Sequence, residues 1–221
     1  MQAISTPYVS NYDACRDLPV GNSPSLDGIG HRGGGIYSAG GGMKIERKWA
    51  MPNASTFEIE PIARFVGKYV AIGVWIDPFA RNSRFSRFCA ATNDLWPDAD
   101  TTHHMEALEF LKGFATGSVD GVIFDPPYSP RQISECYKGI GLSVSTEDTQ
   151  SSFYSNRKDQ IARIVKPGGY VLSFGWNSNG VGLSRGFDML EALIVAHGGA
   201  HNDTICTSEV KRNDLFSTGK A

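Results

Sequence analysis

An alternating α/β fold with an antiparallel finish is predicted by three features of the sequence. Short apolar runs of strand length end in acids, at Asp77, Asp94 and Asp125. Segments with helical spacing lie between such runs. The last two runs are joined only by His197-Gly198-Gly199-Ala200-His201-Asn202, too short and glycine-rich for anything but a hairpin.

The 221 residues carry a formal charge of −2 and are 41% hydrophobic, enough for one well-packed core. Near-neutral charge gives no bulk argument for nucleic-acid binding, so any such contact must use a local patch. No apolar run approaches the roughly 18 residues that cross a bilayer, and the N-terminus lacks the basic and apolar regions of a signal peptide. A cytoplasmic protein with no membrane partner is expected. Cys15, Cys89, Cys136 and Cys206 are scattered without a CxxC pair and read as reduced thiols. His197 and His201 stand four apart on a glycine turn, not a helix, so no metal site is expected. Residues 1 to 42 are rich in glycine and read as a flexible N-terminal extension; residues 43 to 221 form the folded domain.

In chain order, Lys44 to Asn53 leads into Thr56-Phe57-Glu58-Ile59 and a short helix from Pro61 to Val66, with proline well placed at its start. Tyr69 to Ile76 is apolar enough for a buried strand ending at Asp77-Pro78-Phe79. A second strand fits Phe88 to Thr92, and the crossover through Arg81 to Arg87 is close to the minimum length. Thr101 or Thr102 caps a helix from His103 to Leu111. Val119 to Phe124 is the next buried strand. One helix follows Pro130, and another runs from Phe153 to Val165 and ends at Lys166-Pro167-Gly168-Gly169. Tyr170 to Trp176 is a strand, and Leu190 to Ala196 with Asp203 to Val210 form the hairpin.

The stretch Asp125-Pro126-Pro127-Tyr128 carries the chemistry. Two prolines fix φ, remove two N–H donors and push the chain toward extended geometry, so the turn's carbonyls lack local partners. A carboxylate, carbonyl oxygens and a ring face then lie close together. That set suits a planar group with an exocyclic amine, a nucleobase above all. In open α/β sheets ligands collect at the carboxyl ends of the strands, and Asp94 follows Asp77 at close to the roughly 20-residue step that leads to a ribose-binding acid in dinucleotide folds. No Walker-type loop is present and no GxGxxG follows one of these strands, which favours a nucleoside ligand without phosphates over NAD or ATP.

With Asp77-Pro78-Phe79-Ala80 after one strand, Asp125-Pro126-Pro127-Tyr128 after a later one and Lys166-Pro167-Gly168-Gly169 before the next, the chain resembles the S-adenosylmethionine-dependent amino methyltransferases of adenine N6 or cytosine N4 in DNA. The phrases around Trp49-Ala50-Met51-Pro52-Asn53 and Phe174-Gly175-Trp176-Asn177-Ser178-Asn179-Gly180 resemble the small solitary type of phages and prophages, and so imply a bacterial or phage-infected cell. The resemblance covers about residues 45 to 210. It implies the Rossmann-like class I methyltransferase fold, a seven-stranded, mostly parallel sheet with one antiparallel strand. It also implies S-adenosylmethionine as cofactor, held by Asp77, Pro78 and Phe79, by Asp94 at the ribose, and by Glu106 and Ala107 at the adenine. Asp125, Pro126, Pro127 and Tyr128 take the catalytic role, with Asp125 and the Pro126 carbonyl accepting from the target amine. The family usually follows Asp-Pro-Phe with a small residue, glycine, any residue and glycine; here stand Ala80-Arg81-Asn82-Ser83. Asn82, Ser83 or the segment Met51 to Asn53 must then hold the methionine carboxylate.

Tyr128 would stack on the target base, with Trp176 or Phe174 as the opposite wall, and Arg131 and Asn177 nearby. Asp at position 125 leans toward adenine, since cytosine enzymes of the family more often carry Ser there. Only residues 129 to 165 separate Tyr128 from Lys166, which leaves no room for a target-recognition domain. A short or degenerate DNA site is expected, read by the loop Gly139 to Ser152, the glycine-rich arm or a second subunit in a homo-oligomer. An N4-cytosine or RNA methyltransferase and an inactive nucleic-acid-binding subunit are the alternatives.

Overall fold

Alternation along the central strands sets the architecture of residues 42–70, 73–143, 151–199 and 201–213, the part of the chain that the computed structural model describes. The expected arm over residues 1 to 42 lies, Gly42 apart, outside the described residues. Seven strands form one sheet in the order β1 (Lys44–Trp49), β6 (Phe187–Ala196), β7 (Thr204–Lys211), β5 (Val165–Gly175), β4 (Val119–Phe124), β2 (Trp75–Asp77) and β3 (Cys89–Thr92). β7 is antiparallel to both neighbours and the other pairings are parallel, which is the sheet the sequence predicts.

The pleat sends successive side chains to opposite faces. On one face Trp75, Ile123, Leu172, Phe174 and Leu193 join Ile62, Phe65 and Val66 of α1 (Glu60–Gly67). On the other, Ile76, Val122, Phe124 and Val171 join Phe110 and Leu111 of α2 (Ala107–Lys112) and Ile161 and Ile164 of α4 (Ser151–Ile164). Ile133 and Tyr137 of α3 (Pro130–Gly139) pack with Phe153 of α4. Each large apolar side chain so buried contributes about 1.5–3 kcal/mol. Among the described residues, no helix is long and apolar enough to cross a membrane.

Gly121 of β4 lies opposite Trp75 of β2, and a Cβ there would stand 2.5 Å from three atoms of the Trp75 ring. Trp75 is only 2% exposed and has nowhere to go. Gly121→Ala is therefore expected to destabilise the protein by about 2–3 kcal/mol, read as a lower urea midpoint at unchanged slope.

Several elements differ from expectation. β1 is unforeseen, because KIERKW lacks an apolar alternation; it is an edge strand held by pairing with β6 and exposed along most of its length. Tyr69 and Val70 belong to the turn after α1, so the described part of that strand is only Trp75–Asp77. The crossover after it holds a 3-10 turn, Ser86–Phe88, in place of an α-helix. His103 lies before α2 and bridges to Asn93 beside β3, so the helix starts at Ala107. Lys166 to Gly169 continues β5, with Gly168 at φ 78 and a register shift against β4 absorbing the bend.

Candidate active site

The carboxyl ends of β2, β3, β4 and β5 share one rim of the sheet, and the Asp125 to Tyr128 turn leaves β4 there. Its shape is fixed from α3 and α4. Ser129 caps α3 by accepting from the Gln132 N–H at 3.2 Å, with Pro130 as first helical residue. Gln132 Oε1 accepts the Tyr128 N–H at 2.6 Å, and the Tyr154 hydroxyl donates to the Pro127 carbonyl at 2.6 Å. The turn's carbonyls are thus not all open, as the prolines alone suggest: Tyr154, 27 residues away in sequence, takes that of Pro127. Within the turn, the Tyr128 hydroxyl donates to Asp125 Oδ1 at 2.6 Å, and Thr56 bonds the same carboxylate. Burial pushes the Asp125 carboxyl up to about 6 in spite of these two bonds.

A cavity of about 580 Å³ opens against this turn. Pro78, Phe79, Asn82, Asp94, Glu106 and Ala107 line it together with Asp125 to Tyr128, so all the cofactor residues expected from the sequence except Asp77 meet the turn in one space. Asp77 is fully buried behind Pro78. Its Oδ1 accepts the Phe79 N–H at 2.9 Å, while Oδ2 has no partner among the described residues. Burial, with Asp125 and Asp94 nearby, raises its carboxyl well above the usual range.

Asn93 ties this rim together. Its Nδ2 donates to the Pro78 and Met105 carbonyls at 3.1 and 2.9 Å, and its Oδ1 accepts the Met105 N–H at 3.1 Å, so one buried amide joins the loop after β2 to the segment before α2. Asp94 accepts the Trp96 N–H at 2.8 Å and the Arg81 N–H at 3.0 Å. Arg81 adopts φ 45, the left-handed conformation where the resemblance expects glycine. An L-residue there costs about 1–2 kcal/mol; the bond to Asp94 and the guanidinium's position 5.9 Å from the Trp96 ring help to hold it. Asn82 is turned to the Asp100 N–H at 2.9 Å.

Glu106 precedes α2, and its carboxylate is gripped from two other helices: Tyr137 of α3 donates to Oε1, and Arg157 of α4 donates to Oε2 at 3.0 Å. Arg157 lies over the Phe153 ring at 3.5 Å and donates to the Phe153 carbonyl. The ring edge of a ligand reaching Glu106 would meet an anchored acceptor.

Tyr128 also lines a smaller cavity of about 300 Å³, together with Asn53, Thr56, Gln132, Trp176 and His197 among others. Trp176 meets Tyr128 edge to face at 5.8 Å and stays 41% exposed. The loop after Trp176 is held from β7 by Glu209, which accepts from the Val181 and Gly182 N–H groups at 2.6 and 2.9 Å. Gly180, at φ 50, lies so close to this carboxylate that a Cβ would overlap it.

Other predicted contacts are placed elsewhere. Phe174 points into the core, edge to face with Phe57 at 5.1 Å, because it shares the face of Leu172 in β5. Arg131 is paired with Glu135 on the outer side of α3, and Asn177 is exposed and accepts the Asn179 N–H; neither lines either of these two cavities. Ser83 accepts from the Phe85 N–H but also lines the larger cavity, whereas Asn53 faces the smaller one. Of the expected recognition loop Gly139 to Ser152, residues 144–150 lie outside the described residues.

No family model matches the sequence, and no curated protein does. Among solved structures the chain is similar to a putative methyltransferase, yhhF, from Escherichia coli, with 9% identity over 70% of this chain and 84% of that one and a TM-score of 0.45. It is also similar to the Burkholderia thailandensis 1,6-didemethyltoxoflavin-N1-methyltransferase with bound S-adenosylhomocysteine, at 11% identity over 70% and 76% and a TM-score of 0.45. The N-methyltransferase NodS from Bradyrhizobium japonicum WM9 shares 11% identity over 73% of this chain and 100% of its own, with a TM-score of 0.48.

Proposed function

We propose that the chain transfers a methyl group from S-adenosylmethionine to the exocyclic N6 amine of adenine in DNA, at a short or degenerate site. The observation that carries this reading is that Asp125 to Tyr128 line one cavity with Asp94 and Glu106, while Tyr128 also lines a second with Trp176. The larger space fits the cofactor by its donor set. Asp94 offers acceptors for ribose hydroxyls and Glu106 for an adenine amine. When bound, S-adenosylmethionine supplies a methyl on a sulfonium, which needs no further activation.

The chain's own residues act on the acceptor. An aromatic amine is a weak nucleophile because its lone pair is delocalised. Accepting its two hydrogens at Asp125 and at the Pro126 carbonyl favours a pyramidal nitrogen whose lone pair faces the larger cavity. Tyr128 and Thr56 keep the Asp125 carboxylate oriented, and a carboxylate has acceptor capacity left for the amine. Catalysis is then positioning with stabilisation of charge developing on nitrogen. A base taken from a duplex costs a few kcal/mol to flip, and stacking on Tyr128, about 1–3 kcal/mol, offsets part of it.

Transfer of labelled methyl to DNA, followed by nucleoside mass spectrometry, tests the reading. N6-methyladenine is the expected product. N4-methylcytosine would move the acceptor class, label in RNA alone would exclude DNA, and no cofactor binding by titration calorimetry would favour an inactive subunit.

A further inference from the structure

The edge strand β1 carries an exposed face that the catalytic reading leaves unused. Ile45, Arg47 and Trp49 share one side of the strand by its period of two, and Ile45 and Trp49 are 62% and 65% exposed. The charges on the opposite side are neutralised: Lys44 pairs with Glu46 and Glu191, and Lys48 with Glu46. Arg47, on the Trp49 side, has no ion-pair partner among the described residues and is exposed.

This face runs into the smaller cavity. β1 is parallel to β6, so Trp49 stands at the same rim as Ala196. The Ala50 N–H donates to the Ala196 carbonyl at 3.1 Å, and His197 Nδ1 bonds the Ala50 carbonyl at 2.9 Å. The Trp49 indole nitrogen lies 3.5 Å from where a Cβ of Gly198 would be, beside the cavity-lining His197. Met51, 67% exposed, follows Trp49 in the sequence, and Pro52 and Asn53 then line the cavity.

Resting on the acceptor reading above, we infer that Trp49 and Arg47 form a binding site for a nucleotide that flanks the acceptor base, with a single-stranded segment of DNA crossing β1 beside the smaller cavity. An indole face stacks on any base, and an unpaired guanidinium two residues away on the same face takes the phosphate. Ile45 and Trp49 alone would suit a second copy of the chain, but the positive charge of Arg47 between them complements a phosphate, so charge favours the nucleic acid.

The test is anisotropy of a labelled single-stranded 12-nucleotide DNA, titrated without cofactor across a range of salt concentrations. Trp49→Ala is expected to weaken binding about 5- to 50-fold, with Trp49→Phe keeping most of the affinity. Arg47→Ala should reduce the slope of log K against log salt by about 0.7, the loss of one phosphate contact on a single strand. Both residues are exposed, and an unchanged thermal midpoint would exclude unfolding as the cause. Unaltered affinity and slope in both variants would overturn the inference, as would a dimer in sedimentation that Trp49→Ala dissolves while DNA affinity stays put. A parent chain that binds DNA through Trp49 but transfers no methyl would sink the catalytic reading alone.

Discussion

Asp125→Asn reduces methyl transfer by about 10²–10³-fold or more while cofactor affinity stays within about twofold; this is the largest expected effect on activity. The substitution keeps shape and retains an oxygen for the Tyr128 hydroxyl, which now bonds Oδ1 at 2.6 Å. It replaces an acceptor by an NH₂ donor at the point where the target amine must place a hydrogen. Asp94 and Glu106, the residues proposed to hold the cofactor, are untouched. Single-turnover transfer of labelled methyl measures the rate and calorimetry the affinity, and a variant at full rate would remove Asp125 from the mechanism.

The same residue predicts how activity and stability respond to pH. Burial raises the Asp125 carboxyl to about 6 in the folded chain, above its ordinary value of 3.8. Its accepting form therefore populates only as pH rises through about 6, and transfer should climb there with unit slope and level off. The stability term has the opposite sign. A folded-state pKa above the unfolded one gives stability that is fully present below the unfolded value and lost as pH rises through about 6. The Asn variant has no such group to ionise. Its thermal midpoint should rise relative to the parent above pH 6 and converge with it near pH 4, the trade of stability for function expected at a site built to hold a half-buried carboxylate.

Much of this arrangement is legible in the chain because it is local. Two prolines after an apolar run dictate an extended ledge whatever surrounds it, and acids that end buried strands must collect at one rim of a parallel sheet. What could not be read is tertiary. The Pro127 carbonyl is taken by Tyr154 and the Asp125 carboxylate by Thr56, 69 residues upstream, pairings that no spacing announces. β1 offers charge in place of alternation, and its strand character comes from β6. Phe174 and Trp176 share a parity and so read alike, but β5 ends between them, leaving one in the core and the other at the cavity. One signal was there to find: Phe153, Arg157 and Ile161 recur every four residues, so an arginine occupies the buried stripe of α4. A buried guanidinium requires a carboxylate, and that requirement leads to Glu106.

Glu106→Ala tests this link, with an expected loss of about 2–4 kcal/mol in stability and about 10- to 100-fold in cofactor affinity. Glu106 is 37% exposed while the Arg157 side chain is 6% exposed, so the stability cost falls mainly on the arginine, which would stay buried and lose the Glu106 carboxylate. Phe153 still supplies a ring face and a carbonyl to Arg157, which keeps the figure at the lower end of that for broken buried pairs. The affinity loss has a different origin, the missing acceptor at the cavity wall. Combining Glu106→Ala with Arg157→Met separates the two. Replacing a buried pair by apolar side chains of similar size is often neutral, so the double variant should regain most of the urea midpoint yet bind S-adenosylmethionine no better than Glu106→Ala. Recovery of both together would mean that Glu106 acts on the cofactor only by supporting α4, and that its place in the binding site must go to another acceptor.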